Sequence, residues 1–268
     1  MQKIAVMTDS NCGILPDEGK KLGISVVPMP VIIDGTTYYE GVDITAEEFY
    51  KRQAAGAEIT SSLPSPGDVM DMWEALLKEH DEVVYIPMTS GLSTSCHSAV
   101  MLAEEYDGRV HVVDNKRISV TQMQSVFDAC KMAEQGMTGS QIKQRLEEEA
   151  LDATIYIAVD TLEYLKKGGR ITPAVAAIGS VLNGAFRKMC KALHEDLDGR
   201  LKDLHDRGEL VLGIAYTWME EEELNVWKEE LAKEFPGETI VPGTLMLSIG
   251  CHVGPGALGI GAVRKIKE

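Results

Sequence analysis

The chain has 268 residues, of which 44% are hydrophobic and 25% charged, a make-up that sets aside disordered and fibrous classes and, at roughly 150 residues per domain, suggests two domains. The formal net charge of -16 argues against nucleic-acid or anionic-membrane partners, since both are held by Lys and Arg. Five scattered cysteines with no C-x-x-C pair read as reduced thiols.

KIAVM (3–7) is an apolar run that ends at once in Thr8-Asp9-Ser10, too short for a signal peptide or a spanning helix. A cytoplasmic location without stable membrane insertion is therefore expected. With VVYIPM (83–88) and VHVV (110–113), this run reads as a buried parallel strand. VVPMPVIIDGTTYYEG reads as a β-hairpin through Asp34-Gly35, and ITAEEFYKRQAA as a helix opened by a Thr45-x-x-Glu48 capping box. SPGDVMDMWEALLKEH places Ser65 at the N-cap and Pro66 in the first turn, and STSCHSAVMLAEEY carries apolar residues at helical spacing.

After the acidic helix SQIKQRLEEEA, TIYIAV (154–159) opens a second region. Its pattern predicts helices near 161–167 and 174–183, strands around RKMCKAL and GRLKDLH joined through Asp198-Gly199, and a further strand LVLGIAYT. The Glu run at 220–223 opens an amphipathic helix, where acidic side chains suit the positive dipole end. The expected fold is α/β in two domains. Residues 1–152 form a Rossmann-like parallel sheet with helices, and residues 153–268 an α+β domain with a largely antiparallel sheet.

GCHVGPGALGIG (250–261) spaces Gly254, Gly256 and Gly259 like a dinucleotide loop, yet only nine residues follow Gly259. The long helix and the distant acidic residue that such a loop requires have no room. The six histidines form no H-E-x-x-H pattern, so neither a metal nor a cofactor is expected. MTSGLSTSCHS (88–98) sets Ser93, Thr94 and their neighbours at a strand-to-helix junction, a place suited to phosphate or carboxylate. A nucleophile elbow needs G-x-S-x-G, and Gly91-Leu92-Ser93-Thr94-Ser95 misses its last position. Ser61 and Ser62 lie in a second hydroxyl-rich turn, and LEYLKKGGRITP stops a short helix at Gly168-Gly169 just before Arg170, a residue type that grips carboxylates through a fork of donors.

Taken in order, TDS, YYEGVDIT-x-EEFY, SSLPS, SGLS, LEYLKKGGRI and H-x-GPGALG resemble the DegV family from about residue 3 to 262. The resemblance implies a two-domain protein that binds one long-chain fatty acid between its domains. It also implies a separate fatty acid kinase, in phospholipid synthesis, that phosphorylates the acyl carboxylate. By the same resemblance Ser61, Ser62, Ser93, Thr94, Arg170 and His252 converge on the head group, with no catalytic residue of the chain's own. The residues alone leave two other readings open: a serine hydrolase of acyl esters using Ser93 and His252, and a phosphate-ligand binding protein.

Overall fold

Alternation along the apolar strands dictates a sheet buried on both faces. In the computed structural model, which describes residues 2–169 and 182–266, β1 (Ile4–Asp9), β2 (Ser25–Val27), β6 (Glu82–Ile86) and β7 (Val110–Val112) run parallel in the order β2-β1-β6-β7. Val6, Val84 and Ile86 face one apolar cluster, while Ala5, Met7, Val83 and Tyr85 face another. Helices α3 (Pro66–Leu77) and α4 (Ser95–Ala103) cover the second face; α5 (Val120–Glu134) and α6 (Gly139–Glu148) cover the first. The short α1 (Pro16–Lys21) packs beside β2.

A small antiparallel sheet, β4-β3-β5, is built on the expected hairpin, with β3 (Pro30–Ile33) and β4 (Thr36–Tyr39) joined through Asp34 at φ 49° and Gly35 at φ 80°. β5 (Ile59–Ser61) pairs with β3, and α2 (Ala46–Ala54) lies between them in sequence. At the start of α2 the Thr45 hydroxyl accepts from Glu48 N, but the Glu48 carboxylate pairs with Arg52, so only half of the expected capping box forms.

The third sheet has the order β10-β9-β11-β8. β8 (Ala153–Ala158) and β9 (Leu210–Tyr216) each run antiparallel to β11 (Leu258–Arg264), while β10 (Ile240–Thr244) runs parallel to β9. The expected hairpin around Asp198-Gly199 is absent. Its two arms are helical, α8 (Leu182–Asp198) and α9 (Lys202–Asp206), because Ala185, Phe186, Met189, Cys190, Leu193 and Leu197 bury a face at helical spacing against this sheet. The region is accordingly helix-rich, with α7 (Glu163–Lys167), α10 (Glu221–Glu234) and α11 (Leu247–Val253) as well. The helix expected at 174–183 lies mostly outside the described residues. Buried among both large sheets, α5 packs on β1 and β6 and also on β9, β10 and β11. Among the described residues no helix is long and apolar enough to cross a membrane.

Candidate functional site

Strand order places a crevice before any side chain is considered. The chain leaves β1 toward β2 on one side, while β6 lies on the other, so the loops after β1 and β6 diverge at a topological switch point. Asp9 braces the two loops: one carboxylate oxygen accepts from Met88 N at 2.7 Å, the other from Asn11 N at 3.0 Å and Gln122 Nε2 at 3.3 Å. Complete burial raises its pKa even against these donors. The Thr8-Asp9-Ser10 motif is thus a structural clasp at the base of the crevice.

The turn after β6 is tightly wound. Thr89 O accepts from Leu92 N and Ser93 N, and Ser93 Oγ accepts from Ser95 N at 3.1 Å, shielding the first turn of α4. Thr94 is exposed at the helix entry and its side chain makes no cap bond. Ser90 is anchored at both N and Oγ to Asp114, with Lys116 beside them.

Across the crevice, Ser61 Oγ and His252 Nε2 share a hydrogen bond of 2.9 Å, its direction set by the imidazole tautomer. Ser61 closes β5 and His252 lies in the last turn of α11. Helix α7 packs against α11, and two glycines permit the approach. A Cβ at Gly168 would lie 2.1 Å from His252 Nδ1, and one at Gly254, which has φ 77°, would lie 2.4 Å from the Tyr164 ring. Gly168 therefore stands against the imidazole two residues before Arg170, which itself lies outside the described residues. At the other end of α11 the Glu40 carboxylate accepts from Leu247 N at 2.8 Å; burial pushes its pKa up to about 7, against that hydrogen bond.

Ser62, the next residue after β5, points elsewhere, as alternation at a strand end requires. It lines a cleft of about 430 Å³ between the small sheet and helices α3 and α4. That volume lies in the range of about 300–1,000 Å³ usual for small-molecule sites. Ile32, Leu63, Val69, Ala99 and Leu102 supply apolar wall, and Ser95, two residues beyond Ser93, also lines it. Of the six expected head-group residues, a hydrogen bond joins Ser61 to His252; Ser62 sits on the cleft, and Ser93 is engaged at the helix start beside it.

The glycine-rich end has the reverse of a dinucleotide loop's order: helix α11 precedes Gly254 and Gly256, and strand β11 follows. Sequence reading missed Glu40 and Gln122 as supports of the site. Glu40 sits inside the quoted YYEG stretch, and its isolation from any cation in sequence was the available signal. Gln122 belongs to α5, which buries Thr121, Gln122, Ser125 and Asp128 among its apolar residues while Phe127 is exposed, so polarity does not mark its buried face.

Comparison with known proteins adds a family. A family model described as "Uncharacterised protein, DegV family" matches residues 3–183. A DegV domain-containing protein of Caldanaerobacter subterraneus is 32% identical over 97% of this chain and 98% of its own length. One of Listeria innocua is 33% identical over 97% and 98%. Among solved structures, the chain is similar to a DegV family protein from Thermus thermophilus described for fatty acid binding, with TM-score 0.85, 28% identity and coverage of 98% and 99%. It is also similar to a stearic acid-binding protein from Eubacterium ventriosum, with TM-score 0.83, 26% identity and 99% of each chain covered.

Proposed function

The chain belongs to the DegV family, and from that premise we propose that it binds a single long-chain fatty acid whose carboxylate is held between units 1–152 and 153–268 and whose tail is buried in the first. The Ser61–His252 pair, one residue from an apolar-walled cleft, is the observation that carries this reading. The carboxylate would take its hydrogen bonds from Ser61, His252, Ser93 and Thr94, with Arg170 balancing its charge. The tail would run past Ser62 into the cleft. Burying sixteen carbons at about 0.8 kcal/mol per methylene offers on the order of 10 kcal/mol of gross driving force, so the head group needs only to orient. Denaturing extraction of the purified protein, followed by lipid mass spectrometry, tests this: a fatty acid should be recovered, and repeated preparations without one that also fail to take up added acids would refute it.

The chain is a carrier and not an enzyme in this reading. It has no G-x-x-x-x-G-K-[ST] loop for ATP, so the bound acid would be offered in the cytoplasm to a separate fatty acid kinase that supplies phospholipid synthesis. Acyl phosphate should form from ATP only when such a kinase is added. The hydrolase alternative finds its histidine bonded to Ser61, whereas Ser93 Oγ accepts from Ser95 N. An ester-hydrolysis control should therefore give no turnover that depends on Ser93.

A further inference from the structure

Two glycines bracket His252 in sequence, Gly250 two residues before it and Gly254 two residues after. Gly254 makes room for the Tyr164 ring. Gly250 lies inside α11, where alanine would be the better helix former, so its missing side chain has to be explained by what stands against it. That neighbour is Tyr50. A Cβ at Gly250 would fall 2.2 Å from the Tyr50 hydroxyl oxygen and 3.1 Å from the ring carbon that bears it.

Tyr50 is held firmly. It sits in α2, is buried, and its ring meets Phe49 edge-on at 5.0 Å, within the apolar cluster that joins Val31 and Ile33 of the small sheet to Leu247 and Cys251 of α11. Burial, with Glu40 and Cys251 nearby, holds the phenol above its ordinary pKa, so it remains an uncharged hydroxyl, with Thr217 beside it. Thr217 in turn ties down the segment that follows α11: its N donates to Ala257 O at 3.0 Å and its hydroxyl accepts from Ala257 N at 2.8 Å. Successive helical residues are set about 100° apart, so Gly250 and His252 point to opposite sides of α11. The Tyr50 hydroxyl therefore backs the helix on the side away from the imidazole, while Ser61 and Gly168 meet the imidazole itself.

We infer that Tyr50 is a positioning residue for the carboxylate site: its hydroxyl, seated in the space that Gly250 leaves open, fixes how far α11 lies toward Ser61 and hence where His252 Nε2 meets the carboxylate. The inference rests on the fatty-acid reading above. A phenylalanine at position 50 keeps the ring and loses only this contact, so α11 settles back into the vacated space and draws His252 from the ligand. A methyl group added at Gly250 pushes the helix the other way. Together the two changes compensate, since the alanine methyl takes the place of the lost oxygen.

The test compares the natural protein with Tyr50→Phe, Gly250→Ala and the double variant, all delipidated, with thermal melting to confirm that each folds. Equilibrium binding of hexadecanoate and of its methyl ester reads the site, because only the acid has a charge for His252 to meet. Long-range proton–nitrogen NMR spectra of histidine-labelled protein read the imidazole directly, its signal assigned by its absence in His252→Ala. Each single variant should lose about threefold to tenfold in affinity for the acid, a part of what removal of a charge-assisted hydrogen bond costs, while ester affinity changes by less than about twofold. The His252 signal should shift in both. The double variant should recover most of the acid affinity and bring the signal back toward its natural position. Should Gly250→Ala fail to fold, Tyr50→Phe, which removes a single oxygen, decides alone. An unchanged ratio of acid to ester affinity in Tyr50→Phe, a His252 signal that stays in place, or a double variant no better than a folded Gly250→Ala overturns the inference and leaves the parent reading standing. Failure of the natural protein to bind either ligand ends both.

Discussion

Ser61 and His252 are separated by 191 positions in sequence and joined by a 2.9 Å hydrogen bond, which ties the small hairpin sheet to the glycine-rich C-terminal segment. A desolvated carboxylate beside this pair gains donors that water no longer provides. His252→Ala should weaken hexadecanoate binding roughly tenfold to 150-fold, the equivalent of about 1.5–3 kcal/mol for a hydrogen bond to a charged group. The methyl ester should bind less tightly than the acid to the natural protein, and the gap should narrow in the variant. Titration calorimetry with both ligands measures this.

Gly168→Ala tests the same geometry without touching a donor. The new Cβ would fall 2.1 Å from His252 Nδ1, so the imidazole or α7 must move. Because alanine is the better helix former, any loss comes from displacement and not from helix propensity. Affinity for hexadecanoate should fall toward that of His252→Ala, and the ester should be affected less.

The cleft's capacity is set by small residues on α4. Ala99 is buried and lines the cleft, so Ala99→Leu should shorten the preferred acid, with octadecanoate losing more affinity than dodecanoate. Crowding of neighbouring side chains should cost about 1–3 kcal/mol of stability. Competition binding across a chain-length series, beside a denaturant melt, reads both effects.

Glu40 gives the fold a pH dependence of definite sign. Its folded pKa of about 7 lies above the ordinary 4.5, so the folded state holds the proton more tightly than the unfolded one. The stability it contributes is complete below about pH 4.5 and is lost as pH rises through about 7. Glu40→Gln keeps an acceptor for Leu247 N and removes the buried charge. Its stability should match that of the natural protein near pH 4 and exceed it by about 2–3 kcal/mol at pH 8, as measured by urea unfolding across that range.

Much of the architecture could be read from local chemistry. Asp34-Gly35 specified the hairpin, Ser65-Pro66 the start of α3, and short apolar runs the parallel strands, because each depends on neighbours in sequence. Helix α8 was misread because Asp198-Gly199 is also a strong hairpin signal, although the spacing of Phe186, Met189, Cys190, Leu193 and Leu197 already carried the helical period. Helix α5 was overlooked for the opposite reason. It buries Thr121, Gln122, Ser125 and Asp128 along with its apolar residues, so polarity along it does not mark the outside. At the site, residue types could be read, but pairings could not. Nothing in the sequence distinguishes Ser61, which reaches His252, from Ser62, which faces the cleft; strand alternation at the end of β5 decides it.

The central claim is a carboxylate at Ser61 and His252 with its tail in the cleft between the small sheet and α3–α4. A crystal structure with 16-bromohexadecanoate, phased to locate the bromine by anomalous scattering, examines both ends of the ligand at once. The account predicts a carboxylate within hydrogen-bond distance of Ser61 Oγ or His252 Nε2 and a bromine peak among Ile32, Val69 and Leu102. A bromine outside that cleft, or a carboxylate in contact with neither residue, would contradict it.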